Sequence, residues 1–125
     1  MEDFDYKKAR LFLTKKIHDQ QKLCFQKFQQ ATNDFNKIMK LIISKYCPQK
    51  VYQWGSLLNK NAFKAYSDID IAIEGIQSAE LFFNLYKDAE ALTDFPLDIV
   101  QMEKIEPEFR NIIQKKGKLV YERNQ

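Results

Sequence analysis

Ser67-Asp68-Ile69-Asp70-Ile71-Ala72-Ile73, preceded at a short distance by Trp54-Gly55-Ser56, decides the reading of this chain. Side chains two apart on a strand point the same way, so Asp68 and Asp70 converge while Ile69 faces the other side. Two converging carboxylates repel unless a cation lies between them. Mg²⁺ suits such a pair, because it takes oxygen ligands and is usually held by one or two carboxylates plus substrate phosphates. Gly55-Ser56 is a small-residue turn that a phosphate can approach closely.

Outward from this stretch the pattern reads as alternating short strands and helices. Residues 51–54 form a strand stopped by Gly55, and residues 69–74 a second strand ended by Gly75. A helix over 78–91 follows, with Leu81, Phe82, Leu85 and Ala89 on its apolar face and Ser78 or Gln77 near its cap. Leu97-Asp98-Ile99-Val100 is a third strand, Pro107 opens a helix to about Lys116, and a last strand spans 118–122 after Gly117. Upstream, apolar residues at helical spacing, including Tyr6, Ala9, Leu13, Ile17, Cys24 and Phe28, predict an amphipathic helix. Thr32-Asn33-Asp34 offers N-cap chemistry for a second helix over 33–46, unless the two run on as one rod. The expected class is α+β: a small mixed sheet with helices packed on one face, residues 1–31 forming an N-terminal helical extension and 32–125 the main domain.

Asp98 extends the acidic pair. It interrupts an apolar strand, where an ionised carboxylate is costly without a partner. Beside Asp68 and Asp70 it completes a three-carboxylate cluster that a cation would stabilise.

At 125 residues the chain is one domain with one core. No apolar run is long enough to span a bilayer and no signal peptide is visible, so a cytoplasmic protein with no membrane role is expected. Cys24 and Cys47 are too few for a disulfide framework and read as buried, reduced thiols. The net charge of +3 hides an asymmetry: residues 1–50 carry eleven Lys/Arg against five Asp/Glu, and the rest nine against twelve. A basic N-terminal half attracts nucleic acid or an acidic protein, but lysines solvated on a helix face give the same count, and nucleic acid is not favoured. His18, the only histidine, is expected to face solvent. Tyr52 and Trp54 are expected to pack in or beside the core, and Ser67 to act in its loop.

The strand ending in Gly-Ser, then Ser-Asp-Ile-Asp-Ile-Ala-Ile, then Leu-Asp-Ile-Val, resembles the minimal nucleotidyltransferase domain of the DNA polymerase beta superfamily over about residues 35–122. Each motif alone is weak, but their order and spacing on strands are specific. The resemblance implies a polymerase-beta-like fold in which Asp68, Asp70 and Asp98 are catalytic and hold two Mg²⁺ ions. It implies that Gly55 and Ser56, at the start of a helix, bind the phosphates of ATP or another nucleoside triphosphate, with Ser67 nearby. The chain departs from the pattern where an arginine and a glycine usually follow Gly-Ser. Here Leu57-Leu58-Asn59-Lys60-Asn61 stands instead, and the loop to Asp68 is one residue longer. Lys60 and Lys64 are the candidates for the missing charge, although lysine lacks arginine's bidentate geometry.

Minimal members of this family commonly serve as antitoxins of toxin–antitoxin pairs whose toxin is a HEPN-domain ribonuclease. The resemblance therefore implies transfer of AMP from ATP to a hydroxyl of a HEPN-type protein partner. A non-catalytic antitoxin acting by contact, or transfer to a small molecule or an RNA end, are the alternatives. The catalytic domain already has helices to cover its sheet, so the first helix is free to form an interface, with the partner or in a homodimer.

Overall fold

Helix α1 (Tyr6–Leu41) opens a computed structural model that describes residues 5–64 and 66–124. It is a single rod. Asp5 caps it by accepting from the Lys8 N–H (3.0 Å), and a π-helical turn, Ile42–Tyr46, closes it with a hydrogen bond from the Cys47 N–H to the Ile42 carbonyl (3.2 Å). The break expected at Thr32-Asn33-Asp34 does not occur. No Gly or Pro interrupts the segment, and Ala31, Phe35, Ile38 and Ile42 continue one buried face, which outweighs the local capping preference. The Asp34 carboxylate is used in tertiary structure instead. It accepts from Thr93 Oγ1 (2.7 Å) and from Gln30 Nε2 (2.9 Å), tying α1 to the loop that precedes the third strand.

The remaining elements follow the expected order: β1 (Lys50–Trp54), a 3₁₀ turn (Ser56–Leu58), β2 (Ile69–Glu74), α2 (Ala79–Glu90), β3 (Leu97–Gln101), α3 (Pro107–Lys116) and β4 (Lys118–Glu122). Ser78 caps α2 by accepting from the Leu81 N–H (3.2 Å). Sheet order is β3-β2-β1-β4, with β2 and β3 parallel and the other pairs antiparallel. The parallel pair needs a crossover, and α2 supplies it.

Alternation along β2 builds the two faces. Ile69, Ile71 and Ile73 are fully buried in the main core with Phe35 and Ile38 of α1, Ile42 of the π-helical turn, and Leu85 and Ala89 of α2. Ala72 points to the opposite face, where it meets Tyr52, Met102 and Ile113, with Trp54, Val100 and Phe109 packed around them. The expectation of helices on one face therefore describes α1 and α2, whereas α3 lies across the other. Its Pro107 start places Phe109 and Ile113 on that second face, and only part of the face is covered.

The loop 59–64 is anchored. Phe63, 1% exposed, stacks edge-on against Phe28 of α1 (centroids 5.8 Å) and against Phe95 (6.0 Å). Asn59 folds the loop tip by accepting from the Asn61 N–H through its side chain (2.9 Å) and from the Ala62 N–H through its carbonyl (2.9 Å). The cysteines differ from expectation: Cys24 is half-buried on the projecting part of α1 and Cys47 is exposed in a left-handed conformation before Pro48. His18 is exposed, as expected. Among the described residues no helix is long and apolar enough to cross a membrane.

Phe63→Ala removes the aromatic anchor between two rings and is expected to lower unfolding free energy by about 3–5 kcal/mol, as for other buried Phe truncations. Urea denaturation followed by far-UV circular dichroism measures it. A loss below about 1 kcal/mol would mean that the loop is not held by this side chain.

Candidate active site

The acidic residues meet at one end of the sheet because β2 and β3 run parallel with Asp70 directly opposite Asp98. Side chains at paired positions of neighbouring strands share a face, and these two share the face of Ala72 and Val100. Helix α3 covers the other end of that face, around Ala72, Tyr52 and Met102, and leaves the carboxylates uncovered. Asp68 stands one position before β2, two residues from Asp70 and so on the same side.

Burial is distributed unevenly among the three. Asp70, on a central strand, is nearly buried, whereas Asp68 and Asp98 are exposed. The expected desolvation of Asp98 is thus corrected: β3 is an edge strand, and its aspartate reaches water. Asp70 bears the cost instead. Burial pushes its carboxyl up to about 6, and the negative charges of Asp98 and then Asp68 add to the rise.

Gly55 lies against Asp70. Antiparallel pairing sets Trp54 opposite Asp70, so the chain leaves β1 beside the carboxylate. Gly55 turns it there with φ +83°, a conformation that side-chain-bearing residues rarely adopt. A Cβ at this position would overlap Asp70 Oδ2 and stand 2.9 Å from its Cγ. Glycine is therefore required twice, by backbone conformation and by the carboxylate packed over it. Ser56 follows at the start of one 3₁₀ turn, where a helix had been expected, and is half-buried.

The other expected site residues are placed differently. Ser67 closes the loop: its hydroxyl accepts from the Lys64 N–H (2.9 Å) and its own N–H donates to the Lys64 carbonyl (3.0 Å). Lys60 and Lys64 line a groove between this loop and α1, and neither Gly55 nor Ser56 contributes to that lining. Two aromatic residues flank the site: Trp54, which packs beside the core as expected, and Tyr86, which escaped the sequence reading. Tyr86 of α2 donates to the Leu97 carbonyl (2.6 Å), holding β3 next to Asp98. Its hydroxyl pKa is raised, first by burial and further by the charges of Asp98 and Asp68. Trp54 stacks edge-on against Phe109 (5.3 Å) beside the site, with its indole N–H buried and unpaired among the described residues. An aromatic residue directly before Gly-Ser was the available signal for Trp54. Nothing in the local pattern marked Tyr86.

Among the described residues, no three His, Cys, Asp or Glu side chains are drawn together closely enough to chelate one ion as they stand. The donor chemistry nonetheless fits Mg²⁺. Three carboxylates share one edge, their mutual repulsion is visible in the raised Asp70 pKa, and this ion completes its shell with phosphate oxygens and water.

The family description "Polymerase beta, Nucleotidyltransferase" matches residues 36–125. The chain belongs to this nucleotidyltransferase family. Its fold is similar to that of a chain in the crystal structure of the toxin–antitoxin MntA-HepT, with a TM-score of 0.56, 21% identity, and 74% of this chain and 73% of that one covered. A toxin–antitoxin structure with AMP-PNP gives a TM-score of 0.56 at 22% identity, covering 74% of each chain. A complex of a tri-AMPylated Shewanella oneidensis HEPN toxin with an MNT antitoxin gives 0.52 at 22% identity, covering 77% of this chain and 73% of that one. No curated protein matches. The family match begins at residue 36, so most of α1 lies outside it.

Asp70 sets a pH signature for the nucleotidyltransferase free of divalent cations. A carboxyl whose pKa is raised on folding costs nothing while protonated; its penalty grows as pH rises from 3.8 to about 6 and is complete above that. In EDTA near about pH 7.5, Asp70→Asn should melt above wild type, and the difference should shrink toward about pH 4. Mg²⁺ should raise the wild-type melting temperature more than that of the variant. Tryptophan fluorescence melts across this range test the prediction, and a difference that ignores both pH and Mg²⁺ would sink it.

Proposed function

We propose that the protein transfers AMP from ATP, in a Mg²⁺-dependent reaction, to a hydroxyl of a HEPN-type protein partner, and acts as the antitoxin to that partner. The observation that carries this reading is the pairing of Asp70 with Asp98 across parallel strands, beside a Gly55 that Asp70 leaves no room to replace. Family membership supports the nucleotidyl transfer. The fold likeness to chains from toxin–antitoxin complexes, one with AMP-PNP and one holding a tri-AMPylated HEPN toxin, supports the choice of nucleotide and partner.

In this reading Asp68, Asp70 and Asp98 would hold two Mg²⁺ ions, which would supply the positive charge that offsets the triphosphate. Gly55 lets the main chain approach the phosphates, Ser56 offers its hydroxyl to them, and Lys60 and Lys64 add positive charge on the adjoining loop. Asp98 accepts the proton of the acceptor hydroxyl, whose oxygen bonds to the α-phosphorus as the bond from that phosphorus to pyrophosphate breaks. Exposure of Asp68, Asp98 and Gly55 leaves the site open on one side. The acceptor protein closes it, which accounts for catalysis by so small a domain.

Incubation with α-labelled ATP, Mg²⁺ and the protein product of the adjacent gene should label that protein and release pyrophosphate. Asp70→Asn and Asp98→Asn should each slow labelling about 10²–10³-fold, the several kcal/mol of charge stabilisation that such a site supplies. Labelling unaffected by both substitutions would exclude the assigned site. Full protection of cells by Asp70→Asn would instead favour neutralisation by contact.

A further inference from the structure

The part of α1 that precedes the core is long and amphipathic, and among the described residues Leu11, Phe12, Leu13 and Ile17 stay exposed along it. Burial begins at Ala31, with Phe28 packed at the edge, yet the helix starts at Tyr6. Twenty residues, 6–25, rise about 30 Å at helical geometry. Along them Leu11 (62%), Phe12 (67%), Leu13 (56%) and Ile17 (54%) are exposed. Leu13, Ile17 and Cys24 lie on the same helical stripe as Phe28, Ala31, Phe35 and Ile38, so the surface that seals the core continues outward uncovered.

This stripe does not face open solvent alone. It forms one wall of a groove of about 730 Å³, where Ile17 and Cys24 stand opposite Lys60, Lys64 and Tyr66. Phe63 holds the opposite wall in place by its insertion between Phe28 and Phe95. Tyr66, 82% exposed, is two residues from Asp68. The groove therefore runs along the loop that leads into the candidate active site.

Charge selects the occupant. Between residues 6 and 28 there are seven Lys/Arg against one acid, Asp19, and the loop adds Lys60 and Lys64. A second copy of the chain would place one such helix against another of the same sign, which opposes pairing. A nucleic acid would answer the charge but leave Leu11, Phe12, Leu13 and Ile17 in water. An amphipathic segment with an apolar stripe and acidic flanks answers both requirements, as helix-in-groove recognition does.

We infer that the groove between α1 residues 17–25 and Lys60, Lys64 and Tyr66, together with the exposed stripe that continues from it to Leu13, is the docking site for an acidic, amphipathic helical segment of the protein partner, and that docking there brings the acceptor hydroxyl to the Asp70–Asp98 edge. This deepens the proposed function and rests on its reading of the partner as the acceptor. The α1 wall of the groove lies outside the family match, which begins at residue 36.

Leu13→Glu with Ile17→Glu tests it, since both side chains are exposed and lie beyond the core. The protein product of the adjacent gene is the probe, with affinity read by calorimetry and labelling by α-labelled ATP. Circular dichroism and the melting shift produced by Mg²⁺-ATP check that fold and nucleotide site are intact. The double variant should bind the probe at least about 30-fold more weakly and label it correspondingly less, with an unchanged Mg²⁺-ATP shift. Wild-type affinity should also fall steeply with salt. Wild-type-like binding and labelling by the variant would overturn the docking site and leave the transferase reading standing. Binding that the variant loses, with no labelling even by wild type, would uphold docking and overturn the reading of the partner as acceptor. A wild-type protein that does not bind the probe overturns both. A wild-type dimer in sedimentation that the variant dissociates assigns the groove to a second copy instead, and retention of an RNA oligonucleotide through this face assigns it to nucleic acid.

Discussion

The Asp70 carboxylate, nearly buried and pressed against Gly55, is the constraint on which the rest of the site depends. Its strand lies at the centre of the sheet because Ile69, Ile71 and Ile73 are claimed by the main core, which turns Asp70 to the opposite face. That face is apolar where α3 covers it and acidic where α3 stops. Burial makes an ionised carboxyl in such a position unfavourable and pushes its pKa up to about 6. Gly55 is what leaves room for this carboxylate, since a Cβ there would overlap it.

Positioning of the other groups follows from the same sheet. Parallel pairing delivers Asp98 to Asp70 without any loop having to fold over, and Tyr86 fastens the edge strand to the helix behind it through the Leu97 carbonyl. Antiparallel pairing delivers the Gly55 turn from the other side. The Gly55 turn and the carboxylates are thus held by the sheet, whereas the exposure of Gly55, Asp68 and Asp98 leaves this edge open on one side. Rigid chemistry beside an open flank suits an enzyme whose acceptor is another folded protein, because that protein supplies the missing wall and excludes water as it docks.

The long helix serves two solvents. From Ala31 onward its apolar stripe is core, and Asp34 locks it to Thr93 through a buried hydrogen bond. Before Phe28 the same stripe is surface, flanked by lysines. No local signal separates the two halves, because the periodicity is continuous. The polar Thr32-Asn33-Asp34 run looked like a boundary only because capping residues are legible one at a time, whereas the tertiary bond that employs Asp34 is not.

Strand and helix order, the Gly-Ser and Asp-x-Asp motifs and the third aspartate were determined by the sequence itself, since each rests on local periodicity or on residue types that chemistry requires together. The match over residues 36–125 agrees with that reading. Tertiary structure alone decided which aspartate pays for burial, because that depends on strand order: Asp98 sits in an apolar run yet lies on an edge, while Asp70 lies in the middle. It also decided that α3 covers the second face, that Phe63 pins a loop of otherwise polar character, and that Lys60 and Lys64 look toward α1. Each of these depends on what stands across a gap from the residue, a relation between distant parts of the chain that periodicity along it does not encode.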